Sequence, residues 1–183
     1  DVYGDAIEDP DAAVQAFLQF AEDRLAVITR EEGIPYDQVA AAIASHGRRP
    51  VQVRNCLSAL GRLDEQQVQN LAEQTKRIQR IAKDPAPSVD ASLLDDNEKA
   101  LYEITDGPAA TVRSHVDSGE FDAAFSEILS WIPTIESYFE EVFVNHKDDR
   151  IRQNRHALLN AVYDGILAVA DLTQIEKKET ASE

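Results

Sequence analysis

Methionine is absent from this 183-residue sequence, cysteine occurs once, and basic residues are outnumbered by acidic ones, 18 to 34. With no methionine and no cationic, apolar leader before Asp1, the sequence is expected to be a piece of a longer protein. The lone Cys56 excludes an internal disulfide and points to a reducing compartment. Lying between Val53 and Leu57 in a helical pattern, it reads as a small buried apolar residue rather than a nucleophile. No apolar run approaches the ~18 residues that a membrane helix needs. The net charge of -16 sets a field that repels phosphate, which argues against non-specific binding to nucleic acid. Any such contact must come from local patches at a defined site. Two-residue alternation never holds for long, which leaves little room for strands.

Catalytic signatures are missing too. There is no glycine-rich phosphate loop, no H-E-x-x-H, and no Ser, His, Asp set at a recognisable spacing. His46, His115, His146 and His156 are scattered, with no pair at ligand spacing on one helix face. His115 and Asp117 read as surface residues, and neither a catalytic group nor a metal site is expected. With 43% hydrophobic and 28% charged residues, the chain has the makings of one large domain or two small ones.

What is present is helical periodicity. Residues 10–32 place Val14, Phe17, Leu18, Ala21, Leu25 and Ile28 on one face, and Gly33 ends that helix. Asp37 is positioned to cap a short helix through Ser45, and Pro50 opens a third running to Arg62. Asp64, with Gln67 three residues on, caps a helix to Lys83 whose inward stripe is Val68, Leu71, Thr75, Ile78 and Ala82. "DPAPSVD" is the clearest break. Beyond it, Ser92–Thr105 and Pro108–Val116 read as helices, the first carrying Leu93, Leu94, Leu101 and Ile104. Glu120–Asn145 repeats apolar residues four and three apart, with Pro133 expected to kink the helix rather than end it. Asp148 or Asp149 caps the last long helix, with Ile151, Leu158, Val162, Ile166 and Val169 inward. The expectation is an all-α bundle of about seven to eight helices. It divides into a helical segment over 1–63, a bundle over 64–175 and a frayed tail over 176–183.

Four stretches carry a family resemblance. "FLQFAEDRLAVITREEGIPYDQVAAAI" resembles the segment that precedes the anticodon-binding module in the bacterial-type glycyl-tRNA synthetase beta subunit. "LAEQTKRIQRIAK", "VDASLLDDNEKALY" and "YFEEVFVNHKDDRIRQNRHALL" resemble that subunit's C-terminal DALR-type module, in the same order. The last is the most specific, with two aromatics, V-x-V, D-x-x-x-R-x-N-R and two leucines. The sequence departs from the family's pattern at Arg80 (usually Asn), His156 (usually Leu) and Glu140 (usually Asp). The resemblance implies a helical, anticodon-contacting domain that binds tRNA(Gly) and performs no chemistry itself. It also implies an alpha2beta2 heterotetramer whose separate alpha subunit uses ATP and glycine, with no cofactor in this piece. Neither DNA nor a membrane is an expected partner, and the compartment is a bacterial cytoplasm or an organelle stroma. Another reading is a helical protein-interaction module that docks on the alpha subunit or on the rest of the beta subunit.

Three basic patches are the candidate sites. Lys147, Arg150, Arg152 and Arg155 crowd one helix start. At ~100° per residue from Ile151, Arg155 falls in the apolar stripe, where a guanidinium needs a carboxylate partner; it is read as structural. Arg152, His156 and Tyr163 fall together on a flank. That flank is either solvated or able to hold a phosphate and stack a base. Lys76, Arg80 and Lys83 share a face beside the stripe of their helix, with Arg77 opposite the core and no acid between Lys76 and Lys83. This reads as a phosphate-tracking ridge or an ordinary charged surface. The third patch, "HGRRPVQVR", offers His46, Arg48, Arg49 and Arg54 for RNA or for an intersubunit contact.

Overall fold

A computed structural model describes residues 9–82 and 88–177. Among these residues there are nine α-helices, two 3-10 turns and no strand, which makes the protein all-α. The helices are α1 (Pro10–Glu31), α2 (Tyr36–His46), α3 (Pro50–Leu60), α4 (Glu65–Ile81) and α5 (Asp96–Thr105). They continue as α6 (Gly107–Ser118), α7 (Phe121–Ser130), α8 (Ile132–Glu141) and α9 (Asp149–Leu167). None is long and apolar enough to cross a membrane.

Local chemistry starts and stops these elements. Asp64 and Gln67 form the expected capping box, with Gln67 N–H donating to Asp64 Oδ1 at 2.7 Å and Asp64 N–H to Gln67 Oε1 at 3.0 Å. Asp148 caps α9, its Oδ1 accepting from the Arg150 and Ile151 amides. Gly119, at φ 78°, supplies the left-handed residue that closes α6.

Several expectations are corrected. α5 starts at Asp96, not Ser92, because Asp95 and Glu98 form a second capping box and Ala91–Leu93 is a separate 3-10 turn. The residue before α2 is Pro35, while Asp37 accepts from the neighbouring Gln38 amide and from the distant Glu176 amide. The long 120–145 helix is two helices: α7 closes at Trp131 and α8 opens with Pro133 in its first turn, where a missing N–H costs nothing. The apolar face of α1 also differs. Leu25 is buried, but Val14 and Phe17 of the expected face are 54% and 68% exposed, as is Phe20 beyond it at 64%, because the first turns of α1 reach past α2, against which the helix packs.

α9 is the central strut, packed against α4, α5 and α6, with α8 bridging α4 and α5. At the other end α2 packs on α3, and α3 on α7. One apolar cluster joins Leu25, Val39, Val53 and Leu60 to Leu71, Leu101, Phe121, Phe125, Tyr138, Leu158 and Ile175. The segment after α9 returns across the bundle. Val169 O accepts from His46 Nε2 at 2.8 Å and from the Cys56 thiol at 3.4 Å, and Asp171 N–H donates to Ala41 O at 3.1 Å. Cys56 is fully buried, and desolvation pushes its thiol up to about 12, as befits an inert core cysteine.

Candidate nucleic-acid interface

α4 carries an open row of positive charge. Its buried stripe of Val68, Leu71, Thr75 and Ile78 faces α8 and α9, and Thr75 Oγ1 returns a hydrogen bond to Leu71 O. That orientation turns Lys76, Arg77 and Arg80 away from the core onto an open groove of about 690 Å³. Lys76 is partly buried, its Nζ donating to Ile175 O. Arg77 lies 4.1 Å over the Phe139 ring of α8. Arg80 is exposed.

Lys177 completes the groove, and no motif marks it within its polar run. It is placed by its neighbours. Ile175 is buried, Gln69 Nε2 donates to Glu176 O at 3.0 Å, and the Glu176 amide donates to Asp37 Oδ2 at 3.0 Å. The useful signal was Ile175, an apolar anchor two residues before the lysine. Among the described residues, Lys76, Arg77, Arg80 and Lys177 thus face one lining carboxylate, Glu73, in a chain of net charge -16. The fourth residue expected on this ridge, Lys83, lies outside the described residues.

The patch at the start of α9 is divided by the fold. Arg155 is 8% exposed and occupies the inward stripe. It donates through Nε to Glu98 Oε1 at 2.8 Å, through Nη2 to Asp95 Oδ2 at 3.1 Å and through Nη1 to Phe143 O at 2.9 Å. Arg152 is held in its own first turn by Asp149, at 2.8 Å, and by His146 O, at 3.3 Å. Lys147 and Arg150 are exposed.

The flank expected from Arg152, His156 and Tyr163 is corrected. His156 is 4% exposed, and Asn154 through Leu159 are all buried. A helix packed on one neighbour keeps one wet flank; α9 is packed on three and has no such flank there. Tyr163 packs partly against the core, and its hydroxyl accepts from Gln79 Nε2 at 3.2 Å, so its ring does not stand free.

The third patch disperses as well. His46 is 2% exposed and packs edge-on against Phe121. Arg54 pairs with Glu32 at 2.9 Å, Arg49 lies near Asp117 and His46 Nδ1, and exposed Arg48 donates to Gln15 at 3.2 Å.

Burial holds the His46 pKa below 6.5, opposed by the bond to Val169 O and helped by nearby Arg49. As pH falls below the ordinary value, the unfolded chain takes up a proton that the folded chain refuses until lower pH. Stability therefore declines across that window, by at most about 1.4 kcal/mol per pH unit for one proton. Thermal melts near pH 7.5 and pH 5 should show a larger loss of Tm in the native chain than in His46→Gln, whose amide can still donate to Val169 O.

Among the described residues, no group of three or more His, Cys, Asp and Glu side chains is placed to hold a metal ion. No family model matches the chain. The architecture defines a helical bundle with a basic groove. Its sequence is 34% identical over 158 residues to the glycine–tRNA ligase beta subunit of Neisseria meningitidis serogroup C, covering 84% of this chain and 23% of that protein. A beta subunit from Neisseria gonorrhoeae is 35% identical over the same length, and one from Acidithiobacillus ferrooxidans is 28% identical over 168 residues. Over the aligned residues the chain belongs to the glycine–tRNA ligase beta subunit family. It spans about a quarter of the length of the relatives it matches.

Proposed function

We propose that this chain is the tRNA-binding portion of a glycine–tRNA ligase beta subunit, contacting the anticodon region of tRNA(Gly) in a bacterial cytoplasm. It supports attachment of glycine by a holoenzyme whose alpha subunit uses the ATP and glycine. The observation that carries this reading is the groove along α4, where Lys76, Arg77, Arg80 and Lys177 gather against a single lining carboxylate among the described residues. Cations spaced along a helix suit a phosphate backbone, and the chain's overall negative charge discourages RNA that does not fit the groove. The bundle supplies binding, and the chemistry belongs to the alpha subunit. The DALR-type motif D-x-x-x-R-x-N-R serves the scaffold here, since Arg155 is buried in ion pairs and Asn154 exchanges hydrogen bonds with the Asp90 backbone.

The test is binding of a glycine tRNA anticodon stem–loop across a salt series, with Arg80→Glu and Lys177→Glu beside the native chain. Each reversal should weaken binding and reduce the slope of log affinity against log salt by about one. Native-like affinity and slope in both variants would remove the groove from the RNA surface. A mismatched tRNA bound as tightly as tRNA(Gly) would remove the specificity.

One observation favours a second reading. The exposed Val14, Phe17 and Phe20 of α1 form an apolar face suited to docking on protein, either the alpha subunit or the rest of the beta subunit. Self-association of the chain without RNA binding would support that role over the first.

A further inference from the structure

Phe143 is 72% exposed, although its neighbours Val142 and Val144 are 7% and 6% exposed. Val142 is extended, so successive side chains point in opposite directions, and the two buried valines turn Phe143 outward. The backbone cannot easily rotate to hide the ring. Phe143 O accepts from the Arg155 guanidinium at 2.9 Å, and that guanidinium is itself fixed by Glu98 and Asp95. The aromatic is therefore held in water by buried groups on either side of it.

Its place in the bundle relates it to the basic groove. Gln74 donates to Glu136 at 3.3 Å, and Arg77 lies over Phe139, so a step of three on α4 matches a step of three on α8. The two helices run parallel and in register. The next step brings the Arg80 turn of α4 to the end of α8, where Val142 and Phe143 leave the helix. Exposed Lys147 follows in the same loop. An exposed ring that the register sets level with the last cation of α4 offers the combination that single-stranded nucleic acid requires: charge for the backbone and an aromatic face for a base.

We infer that Phe143 is a stacking platform for an unpaired RNA base, seated at the Arg80 end of the α4 groove. This rests on the RNA reading above and adds a residue and a structural preference to it: the groove takes RNA with unstacked bases in preference to a continuous duplex.

The experiment compares the native chain, Phe143→Ala and Phe143→Trp against two probes, the glycine tRNA anticodon stem–loop and a fully paired RNA duplex of equal length. Phe143→Ala should weaken stem–loop binding roughly 5- to 150-fold, the range for removing one stacked aromatic, and leave duplex binding unchanged. Phe143→Trp should keep stem–loop affinity, and its solvent-exposed emission should be quenched when the stem–loop is added. Because the side chain lies in solvent, neither variant should shift Tm. If the native chain binds the stem–loop and Phe143→Ala binds it equally well, the stacking role is overturned and the groove reading stands. If the native chain binds neither probe, both fall. If Phe143→Ala leaves RNA binding intact and abolishes self-association, the ring is a protein contact and the inference is wrong.

Discussion

Replacing Arg155 with leucine lowers stability by about 3–5 kcal/mol, the cost of breaking a buried ion pair from one side. The loss arises mainly at Glu98. This carboxylate is 1% exposed and accepts from Arg155 Nε through Oε1 and from the Asp95 amide through Oε2. Without the guanidinium it is a charge in the core with only the amide left to it. Asp95 and Phe143 O lose a donor as well, but the Asp95 side chain is 51% exposed and water can take the vacated position. Lysine does not substitute, since three partners in different directions need the planar fork of arginine rather than a point charge. Converting Arg155 and Glu98 together to methionine should recover much of the loss, because the desolvation penalty leaves with both charges. Urea denaturation of the two single variants and the pair decides the matter. A cost below about 1 kcal/mol for Arg155→Leu would mean that the network contributes no more than an exposed pair.

Trp131→Ala has a comparable expected cost, about 3–5 kcal/mol. The indole is 2% exposed at the junction of α7 and α8, donates to Glu127 Oε1 at 3.2 Å and faces α9 at Gly165. A Cβ on Gly165 would meet two atoms of that ring at 3.0 Å. Ordinarily Gly→Ala inside a helix gains about 1 kcal/mol. Here overpacking of about 1–3 kcal/mol exceeds that gain, so Gly165→Ala destabilises the native chain. In a Trp131→Ala background the clash is gone and the same change should stabilise. A double-mutant cycle read by thermal or urea unfolding should show this reversal of sign. Equal effects in both backgrounds would mean that the indole does not limit the space at Gly165.

The parts of this architecture that were legible in the sequence are those set by spacing within one element. The Asp64 cap, the narrowing of the α9 cap to Asp148 or Asp149, the inward stripe of α4 and the inward position of Arg155 each follow from residues within a turn or two. What was illegible depends on how many neighbours an element has. One-sided burial was assumed for α1 and α9. α1 is left with Phe17 and Phe20 in water, and α9, packed on three helices, swallows His156. The basic groove shows the same division. Lys76, Arg77 and Arg80 could be read as a ridge from α4 alone, whereas Lys177 joins them only because distant backbone is tied across the helix. Val142 and Phe143 are adjacent and both apolar, and spacing within their own segment does not say which of them is buried. That one of the pair would be buried and the other held out was fixed by Arg155, twelve residues away.

The return of residues 167–177 across the bundle also has a kinetic consequence. Ser45 to Leu167, His46 to Val169 and Asp37 to Glu176 are separated by 122, 123 and 139 positions. Contacts of that separation close large loops, which slows an otherwise locally organised helical chain. α4 can form early on its own capping box, yet its groove acquires Lys177 only when this strap docks. The four-cation groove is thus among the last surfaces to mature, and helices formed without the docked strap do not yet present it.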